Sequence, residues 1–193
     1  GELANDTLRH EFRSIRPEDA RILLLDGSPR LLPPYPEELS HRAEQQLIRL
    51  GVRARANVRV TAIDGDGVTL TGPSGEERIA ARTVVWAAGV TATPLGKAIA
   101  ARTGAQLDRG GRVVVGPDLT VVGHPEILVI GDLASATQDG KPLHGVAPVA
   151  MQQGRYAARL IERRLRGMPT EPFRYLDKGS LAVIGRAAAV AFF

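Results

Sequence analysis

Apolar residues recur along the chain at two different spacings, and each spacing predicts one kind of element. Three segments have apolar residues close to the helical period and are predicted as helices: 3–15, 36–50 and 147–161. Pro17 ends the first, since proline cannot continue a helix, and Gly51 caps the second. The predicted helices are well separated, which leaves room for strands between them.

Mainly apolar runs predict three buried strands. They lie at 20–25, 83–87 and 127–130, and they are rich in β-branched and other large apolar residues. A strand that is apolar at every position needs cover on both faces, as strands of a parallel sheet have. We therefore expect helices on both sides of these strands.

Shorter runs separated by turn sequences predict antiparallel structure. Three of them are predicted to form a small meander: 58–63, 68–70 and 77–80. The sequences Asp64-Gly-Asp-Gly67 and Gly72-Pro-Ser-Gly75 lie between them and favour tight turns. The apolar runs 181–184 and 187–193 flank Gly185-Arg186 and predict a hairpin that lacks a polar face. We expect this hairpin to be unusually exposed, or buried only against a second copy of the chain.

The order of these elements predicts an α/β fold. Helix, strand, helix, meander and strand describe most of a Rossmann-like dinucleotide-binding unit over 1–90, with an antiparallel insert in its last crossover. The first strand of such a unit and its Gly-rich turn are missing from the sequence. We therefore expect a fragment whose parallel sheet has a gap between strands 22–25 and 83–87. The chain is expected to cross to a second unit within 89–111.

Composition narrows the functional classes. Hydrophobic residues make up 44% of the 193 residues, enough for a buried core, and there is no cysteine. A disulfide framework and a thiolate metal site are thereby excluded from these residues, and we expect no metal site. No apolar run approaches the ~20 residues of a membrane span. The net charge of +4 comes from dispersed basic residues, so we expect no nucleic-acid partner.

The run from Ile127 to Ala134 carries the most informative chemistry. Its apolar part ends in Gly131-Asp132, where a glycine lets a ligand approach the backbone and a carboxylate can accept hydrogen bonds from sugar-alcohol hydroxyls. The positive amino end of the helix predicted from Ala147 would lie near the same ligand. A strand followed by a plain turn is the alternative interpretation.

Other segments occur in a fixed order with this run and make the pattern specific. They are Asp26-Gly-Ser-Pro-Arg-Leu-Leu-Pro33, Val84-Val-Trp-Ala-Ala-Gly-Val90, Asp108-Arg-Gly-Gly-Arg-Val-Val-Val-Gly-Pro-Asp118 and Phe173-Arg-Tyr-Leu-Asp-Lys-Gly179. The series resembles the type II (single-subunit, non-proton-pumping) NADH:quinone oxidoreductases, and the resemblance covers nearly the whole chain. It implies FAD-dependent respiratory-chain enzymes that take a hydride from NADH and pass electrons to a membrane quinone.

The resemblance implies which residues contact the two cofactors. Five are expected at FAD: Gly131, Asp132, Ala147, Val149 and Gln153. At NADH, Asp26 would bind the adenosine ribose and repel a 2′-phosphate, which favours NADH over NADPH. Arg30 would weaken this preference by offering a positive charge. The small residues Ala88 and Gly89 would let the backbone approach the bound dinucleotide. The alternatives are an Asp-Gly turn at residue 26 and simple strand-to-helix packing of the small residues.

Candidates for the flavin and quinone pocket are Gln152, Gln153 and Lys178. Glutamine amides can donate to a quinone carbonyl, although a polar helix face is the alternative. Many family members carry a glutamine at the position of Pro148, so one proposed quinone contact is absent here. No residue is assigned as a general base or a nucleophile.

The resemblance also implies an organisation and a location. Residues 1–90 would bind NADH, 91–170 would be the second segment of the FAD-binding unit, and 171–193 would begin a carboxyl-terminal hairpin and interface. The parent enzyme would lie on the cytoplasmic side of the inner or plasma membrane, attached peripherally through a region missing here, while the fragment itself would be soluble and inactive. The hairpin would allow a homodimer. Two alternatives stay open: a related reductase with a soluble or ferredoxin acceptor, and a non-catalytic dinucleotide-fold module.

Overall fold

Contacts divide the chain into two units. A computed structural model describes residues 1–8, 11, 16 and 19–192. Unit 1 comprises Gly1–Trp86 and Lys178–Phe193, and unit 2 comprises Ala87–Asp177. The amino-terminal half and the hairpin thus belong to one unit, and a continuous stretch of chain makes the other.

Unit 1 begins with a parallel pair of strands joined by a helix. Strand β1 (Ile22–Leu25) pairs in parallel with β2 (Val52–Arg55), and α1 (Glu37–Arg49) connects them. Helix α1 starts after Pro36 and is followed by Gly51 at a positive φ of 73°, which confirms the predicted helix and its glycine cap. Strand β2 was not predicted.

The meander is confirmed. Strands β3 (Arg59–Asp64), β4 (Gly67–Gly72) and β5 (Gly75–Ala80) form an antiparallel sheet in sequence order. The central strand supplies the buried residues Val68 and Leu70. The ion pairs Arg55–Glu77 and Arg78–Asp64 join β2 to β5 and β3 to β5, with N–O distances of 2.7 and 2.6 Å.

The pairing between Asp64 and Arg78 makes the meander resistant to acid at this point. The hydrogen bond from Arg78 lowers the pKa of the Asp64 carboxyl from 3.8 to about 2, helped by the backbone N–H groups of Asp66 and Gly67. Because the folded-state pKa is depressed, the stabilisation is fully present above pH 3.8 and is lost as the pH falls through about 2. An NMR titration of the Asp64 carboxyl carbon should show this midpoint in the wild type. In R78Q the midpoint should move back toward 3.8, and an unmoved midpoint would contradict the assignment.

Two of the predicted buried strands differ from the structure. Leu23 and Leu24 of β1 are 37% and 40% exposed, so the expected cover on both faces is wrong for this strand. Residues 83–87 are not a strand, because they have no ladder partner among the described residues, and Val85 and Trp86 are exposed. Strand β1 likewise pairs on one edge only within the described part of the chain. The parallel sheet of unit 1 is thus incomplete, as expected, but residues 83–87 do not form the strand that was predicted on the far side of the gap.

The predicted hairpin is confirmed and is exposed as expected. Strands β12 (Ser180–Gly185) and β13 (Ala188–Phe192) pair antiparallel, and the Glu2 carboxylate accepts a hydrogen bond from the Arg186 N–H across 2.9 Å. Leu181 and Val183 are 65% and 69% exposed, whereas Val190 is buried. One face of the hairpin thus packs within unit 1 and the other carries apolar side chains in solvent.

Unit 2 is built from short strands and two helices. Its elements in chain order are α2 (Pro94–Thr103), β6 (Val113–Val114), β7 (Thr120–Val121), β8 (His124–Leu128), β9 (Ala134–Ser135), β10 (Thr137–Gln138), β11 (Lys141–Pro142) and α3 (Ala147–Leu165). Strand β6 pairs in parallel with β9, and the pairs β7–β8 and β10–β11 are antiparallel. The core of this unit contains Val113, Val121, Val129 and Ala134. Helix α2 was not predicted, whereas α3 was.

The strand predicted at 127–130 is displaced toward the amino terminus. Strand β8 runs over His124–Leu128 because its partner β7 has only two residues, and the ladder ends where Leu128 faces Thr120. Val129 is buried and its N–H donates to the Leu119 carbonyl, but it is outside the ladder. Strand β8 therefore ends three positions before Gly131.

The first predicted helix is described only in part. Residues Leu3–Thr7 form a π-helical turn, and most of the remainder of the 3–15 prediction lies outside the described residues. Of the helices in the described residues, none is long and apolar enough to cross a membrane.

Candidate functional site

A hydrogen bond between the Gly131 turn and α3 forms the centre of the candidate site. Residues Gly131–Leu133 make a 3₁₀ turn after β8, and the Gly131 N–H donates to Oε1 of Gln153 across 2.6 Å. Gln153 is only 1% exposed, so this bond lies in the interior of unit 2. Gly131 has φ of +68°, a conformation that favours glycine, and a Cβ here would come within 3.8 Å of Ala150. The sequence Gly-Asp is thus a turn anchored to the helix 22 residues later.

An open depression lies beside this turn. It is lined by Gly131, Asp132, Ala134, Ala136, Leu143, His144, Gly145, Val146, Val149, Ala150 and Gln153. The Asp132 side chain is exposed and makes no hydrogen bond with the described residues. A Cβ at Gly145 would lie 3.5 Å from the Asp132 Oδ1, so a longer side chain there would crowd the carboxylate. The depression therefore contains a carboxylate that can accept hydrogen bonds, next to two glycines, Gly131 and Gly145, that leave space for a ligand.

The amino end of α3 opens onto the same depression. Val146 is the N-cap residue and provides no side-chain hydrogen bond, and the first turn contains no acidic residue. Pro148 has no N–H, and the N–H groups of Val149 and Ala150 bond to the Val146 carbonyl. The positive end of the helix dipole is consequently not neutralised by a carboxylate of its own turn.

Four of the five predicted flavin residues line this one depression. Gly131, Asp132, Val149 and Gln153 are among its lining residues, and Ala147 is the first residue of α3. His144 also lines it, from the loop before the helix. Whether these residues bind FAD stays a prediction, but the structure brings them together.

The two aspartates of the 108–118 segment hold turns rather than face the depression. Asp108 accepts hydrogen bonds from the N–H groups of Gly110 and Arg112 and from the Arg112 Nε. Asp118 accepts from Thr120 and from Arg164 Nη2, at 2.8 Å for the arginine. Burial raises the pKa of the Asp118 carboxyl, but the bonds from Thr120 and the charge of Arg164 outweigh it, so the pKa is lowered.

Gln152 is turned to the segment after α3. Its Nε2 donates to the Leu176 carbonyl across 2.9 Å, and its Oε1 accepts from the Leu176 N–H across 3.0 Å. Gln138 pairs in the same two directions with Tyr175, at 3.3 and 2.7 Å. Gln138 was not identified from the sequence. A side chain that bonds to the backbone of a residue far along the chain leaves no periodic pattern in the sequence.

The predicted NADH residues are divided between the units. In unit 1, Asp26 follows β1, and its Oδ1 accepts from the Ser28 N–H across 2.8 Å, which is the turn interpretation. The Arg30 guanidinium donates to the carbonyls of Leu32 and Pro33 and to the Ser40 hydroxyl, and so it closes the loop before α1. The Ser28 N–H occupies one carboxylate oxygen of Asp26, and the other accepts no hydrogen bond from the described residues.

The remaining predicted site residues lie near the start of unit 2 or directly after its last residue. Ala88 and Gly89 open unit 2 and are exposed, and a Cβ at Gly89 would meet nothing within 4 Å. Lys178, the pocket candidate that follows Asp177, is exposed and belongs to unit 1. Within the described residues, no group of three or more His, Asp or Glu side chains is arranged to hold a metal ion.

Comparison with known proteins finds relatives both by sequence and by structure. The chain is 45% and 42% identical to the type II NADH:quinone oxidoreductases NdhA and Ndh of Mycobacterium tuberculosis, over 98% of this chain and 41% of each relative. The structure superimposes on NDH2 of Plasmodium falciparum, solved in complex with NADH, with a TM-score of 0.79 at 16% identity. That match covers 98% of this chain and 53% of the other, and it shows a shared fold.

The chain thus spans about two fifths of the length of these curated relatives. A family model described as pyridine nucleotide-disulphide oxidoreductase matches residues 11–154, which is most of the chain and includes the Gly131 turn and the first two turns of α3. The predicted α/β fold class is confirmed by this match and by the shared fold. The chain belongs to the pyridine nucleotide-disulphide oxidoreductase family.

Proposed function

We propose that this chain forms part of a type II NADH:quinone oxidoreductase and contributes residues to its NADH site and to its FAD site. The curated relatives that carry this name match 98% of the chain and support the proposal. Because those relatives are more than twice as long as the matched part, the proposed activity is that of the complete gene product.

The observation that carries the proposal is the arrangement of Gly131, Asp132 and Gln153 at the amino end of α3. The bond from Gly131 to Gln153 keeps the turn against the helix, and the Asp132 carboxylate is left exposed beside the positive helix end. A carboxylate accepts from the hydroxyls of a ribityl chain, and a helix amino end favours phosphate or an electron-rich ring edge. The residues present therefore fit a flavin dinucleotide.

Five residues would hold FAD: Gly131, Asp132, Ala147, Val149 and Gln153. FAD, when bound, supplies the hydride and electron chemistry between NADH and an acceptor. The chain supplies position and charge. Asp132 would orient the sugar-alcohol chain, Gly131 and Gly145 would leave space for it, and the amino end of α3 would stabilise negative charge on the flavin.

The NADH contacts are proposed at Asp26, Arg30, Ala88 and Gly89. The free oxygen of Asp26 would accept from the ribose hydroxyls, and its charge would repel a 2′-phosphate. Arg30 would contact the dinucleotide through the guanidinium N–H groups that do not bond to the carbonyls of its own loop. The exposed backbone at Ala88 and Gly89 would admit the dinucleotide closely.

A membrane quinone is the proposed electron acceptor, with Gln152, Gln153 and Lys178 as the candidate residues at its pocket. We also propose peripheral attachment at the cytoplasmic side of the inner or plasma membrane, and a homodimer through the exposed face of the hairpin. Pro148, where many family members carry a glutamine, favours a second candidate: a related reductase with a soluble or ferredoxin acceptor.

The test is to purify the product of the complete reading frame. We expect it to carry flavin in stoichiometric amount and to couple NADH oxidation to reduction of a short-chain ubiquinone or menadione. The 193-residue chain alone should retain little FAD. A purified product without flavin would refute the proposal, and reduction of ferredoxin but of neither quinone would favour the second candidate.

A further inference from the structure

The β1–α1 loop, residues 26–36, leaves the sheet of unit 1 at the carboxyl ends of its two parallel strands. The Asp26 N–H donates to the Arg55 carbonyl across 2.9 Å, and the Val58 N–H donates to the Asp26 carbonyl across 3.0 Å. These bonds continue the pairing past the ends of β1 and β2. Ligands of parallel α/β units bind outside the carboxyl ends of the strands, so this loop lies at the edge where a dinucleotide is expected.

The Arg30 guanidinium closes this loop from within. Its Nη1 donates to the Leu32 carbonyl across 3.2 Å and to the Ser40 hydroxyl oxygen, and its Nη2 donates to the Pro33 carbonyl across 2.7 Å. The Tyr35 N–H donates to the same Leu32 carbonyl across 2.9 Å. Both hydrogens of Nη1 and one of Nη2 are thereby used, which leaves Nε and the second hydrogen of Nη2 for the dinucleotide.

Ser40 connects the β1–α1 loop to the helix that follows it. The residue lies in the first turn of α1 and is only 5% exposed. Its hydroxyl accepts from Arg30 and donates to the Leu32 carbonyl across 3.4 Å. A buried hydroxyl requires hydrogen-bond partners, and both partners here belong to the loop. Ser40 therefore holds the loop against α1, and its burial keeps its own side chain away from a ligand at the surface.

The backbone at Leu32 shows that this loop is held in a strained conformation. Leu32 has φ of +51°, in the left-handed region that residues other than glycine and asparagine rarely adopt. Such conformations persist where surrounding contacts hold them, and they cluster at ligand-binding segments. The contacts here converge on the Leu32 carbonyl, which accepts from Arg30, Ser40 and Tyr35. The shape of the loop thus depends on the pairing of Arg30 with Ser40.

We propose that Ser40 is a positioning residue for the adenosine half of the dinucleotide. This inference rests on the proposed NADH site at Asp26. Ser40 acts through Arg30: their hydrogen bond keeps the β1–α1 loop folded, and the folded loop keeps Asp26 at the place of the adenosine ribose. The nicotinamide half does not depend on this loop, so Ser40 affects the binding of NADH and not the hydride transfer that follows.

The test uses the variant S40A in the product of the complete reading frame and ADP-ribose as the probe. ADP-ribose contains the adenosine ribose and the pyrophosphate but lacks the nicotinamide. We expect S40A to raise the Kd for ADP-ribose, measured by calorimetry, and the KM for NADH by the same factor of about ten, since a hydrogen bond to a charged group is lost. The kcat at saturating NADH and the flavin content should stay within about twofold of wild type, as expected for a loss of binding alone.

A second variant, R30K, tests whether Ser40 acts through Arg30. Lysine keeps the positive charge but lacks the planar fork that donates to two carbonyls and a hydroxyl at once. R30K should therefore also weaken the binding of ADP-ribose. The double variant S40A/R30K should bind ADP-ribose no more weakly than R30K alone, because residues that act as one unit do not have additive effects.

Hydrogen exchange provides a readout independent of turnover. In S40A the amide of Tyr35 should lose protection, while the amide of Val58, which bonds at the end of the β1–β2 pair, should keep it and show that unit 1 remains folded. S74A is the matched control, because Ser74 is exposed in the turn between β4 and β5 of the same unit. It should change neither the Kd for ADP-ribose nor the exchange.

Three results would overturn the inference. An unchanged Kd for ADP-ribose in S40A, despite faster exchange at Tyr35, would mean that the loop does not serve the adenosine half. Unchanged exchange at Tyr35 would mean that Ser40 does not hold the loop. Additive losses in S40A/R30K would mean that Ser40 acts independently of Arg30. Failure of the proposed function would be distinct, since the wild-type product would then lack flavin or fail to oxidise NADH.

Discussion

Replacing Asp26 by serine in the complete gene product is expected to lower its preference for NADH over NADPH by up to about a thousandfold. The Ser28 N–H bonds to one carboxylate oxygen of Asp26. If the other oxygen accepts from the adenosine ribose, as proposed, a 2′-phosphate there would bring two negative charges together. At about 4 Å and an effective dielectric near 20, that repulsion is about 4 kcal/mol, and each 1.4 kcal/mol is a factor of ten. The ratio of kcat/KM for NADH over kcat/KM for NADPH measures it.

Serine is the suitable replacement because it can still accept the Ser28 N–H and so keep the turn that Asp26 makes. D66S is the matched control: Asp66 is an exposed acid in the turn between β3 and β4 of the same unit. Its cofactor ratio should equal that of the wild type. A D26S enzyme with an unchanged ratio would remove Asp26 from the account of selectivity.

Replacing Asp132 by alanine should weaken FAD binding by about 10- to 150-fold. A hydrogen bond to a charged group contributes roughly 1.5–3 kcal/mol, which corresponds to this range. The carboxylate makes no hydrogen bond with the described residues, so its loss should leave the free energy of unfolding of the apoprotein within about 0.5 kcal/mol of wild type. The flavin-to-protein absorbance ratio and the Kd of the reconstituted apoprotein measure the effect.

A pair of isosteric variants separates charge from shape at this position. D132N keeps the size of the side chain and removes its charge, so it should bind FAD less tightly than wild type but better than D132A. D139N removes an equivalent charge from an exposed turn of the same unit, where asparagine tolerates the positive φ of 51°. If D132A keeps its full complement of flavin, Asp132 does not hold the ribityl chain.

Elements with a strong local pattern could be predicted from the sequence. Helix α1 has a one-sided apolar face, a proline start and a glycine cap, and the meander and the hairpin have turn residues between short strands. Each of these depends on neighbours in the sequence. Strand β2 could not be identified because Val-Arg-Ala-Arg is short and half charged, and its place depends on pairing with β1, 30 residues earlier in the register. Helix α2 lies in a stretch interpreted only as a crossing.

The opposite error, a predicted strand that the structure lacks, came from an apolar run that has no neighbouring strand to pair with. Residues 83–87 have strand-forming side chains, yet a strand also needs a neighbouring backbone, and the described part of the chain offers none. At the candidate site, Gly131, Asp132 and the start of α3 could be predicted from the residue types. The bond between Gly131 and Gln153 and the pairing of Gln138 with Tyr175 could not, because they join positions 22 and 37 residues apart through single side chains.

The interrupted order of unit 1 affects the sequence of events on the ribosome. Its hairpin follows all of unit 2 in the chain, yet the hairpin strands belong with α1 and the amino-terminal residues, where Glu2 receives the Arg186 N–H. During synthesis at about 5–20 residues per second, the first unit must wait roughly five to twenty seconds for that hairpin. Unit 2 is continuous and can be completed first. The unit that is begun first among these residues is therefore the one that receives its last strands latest.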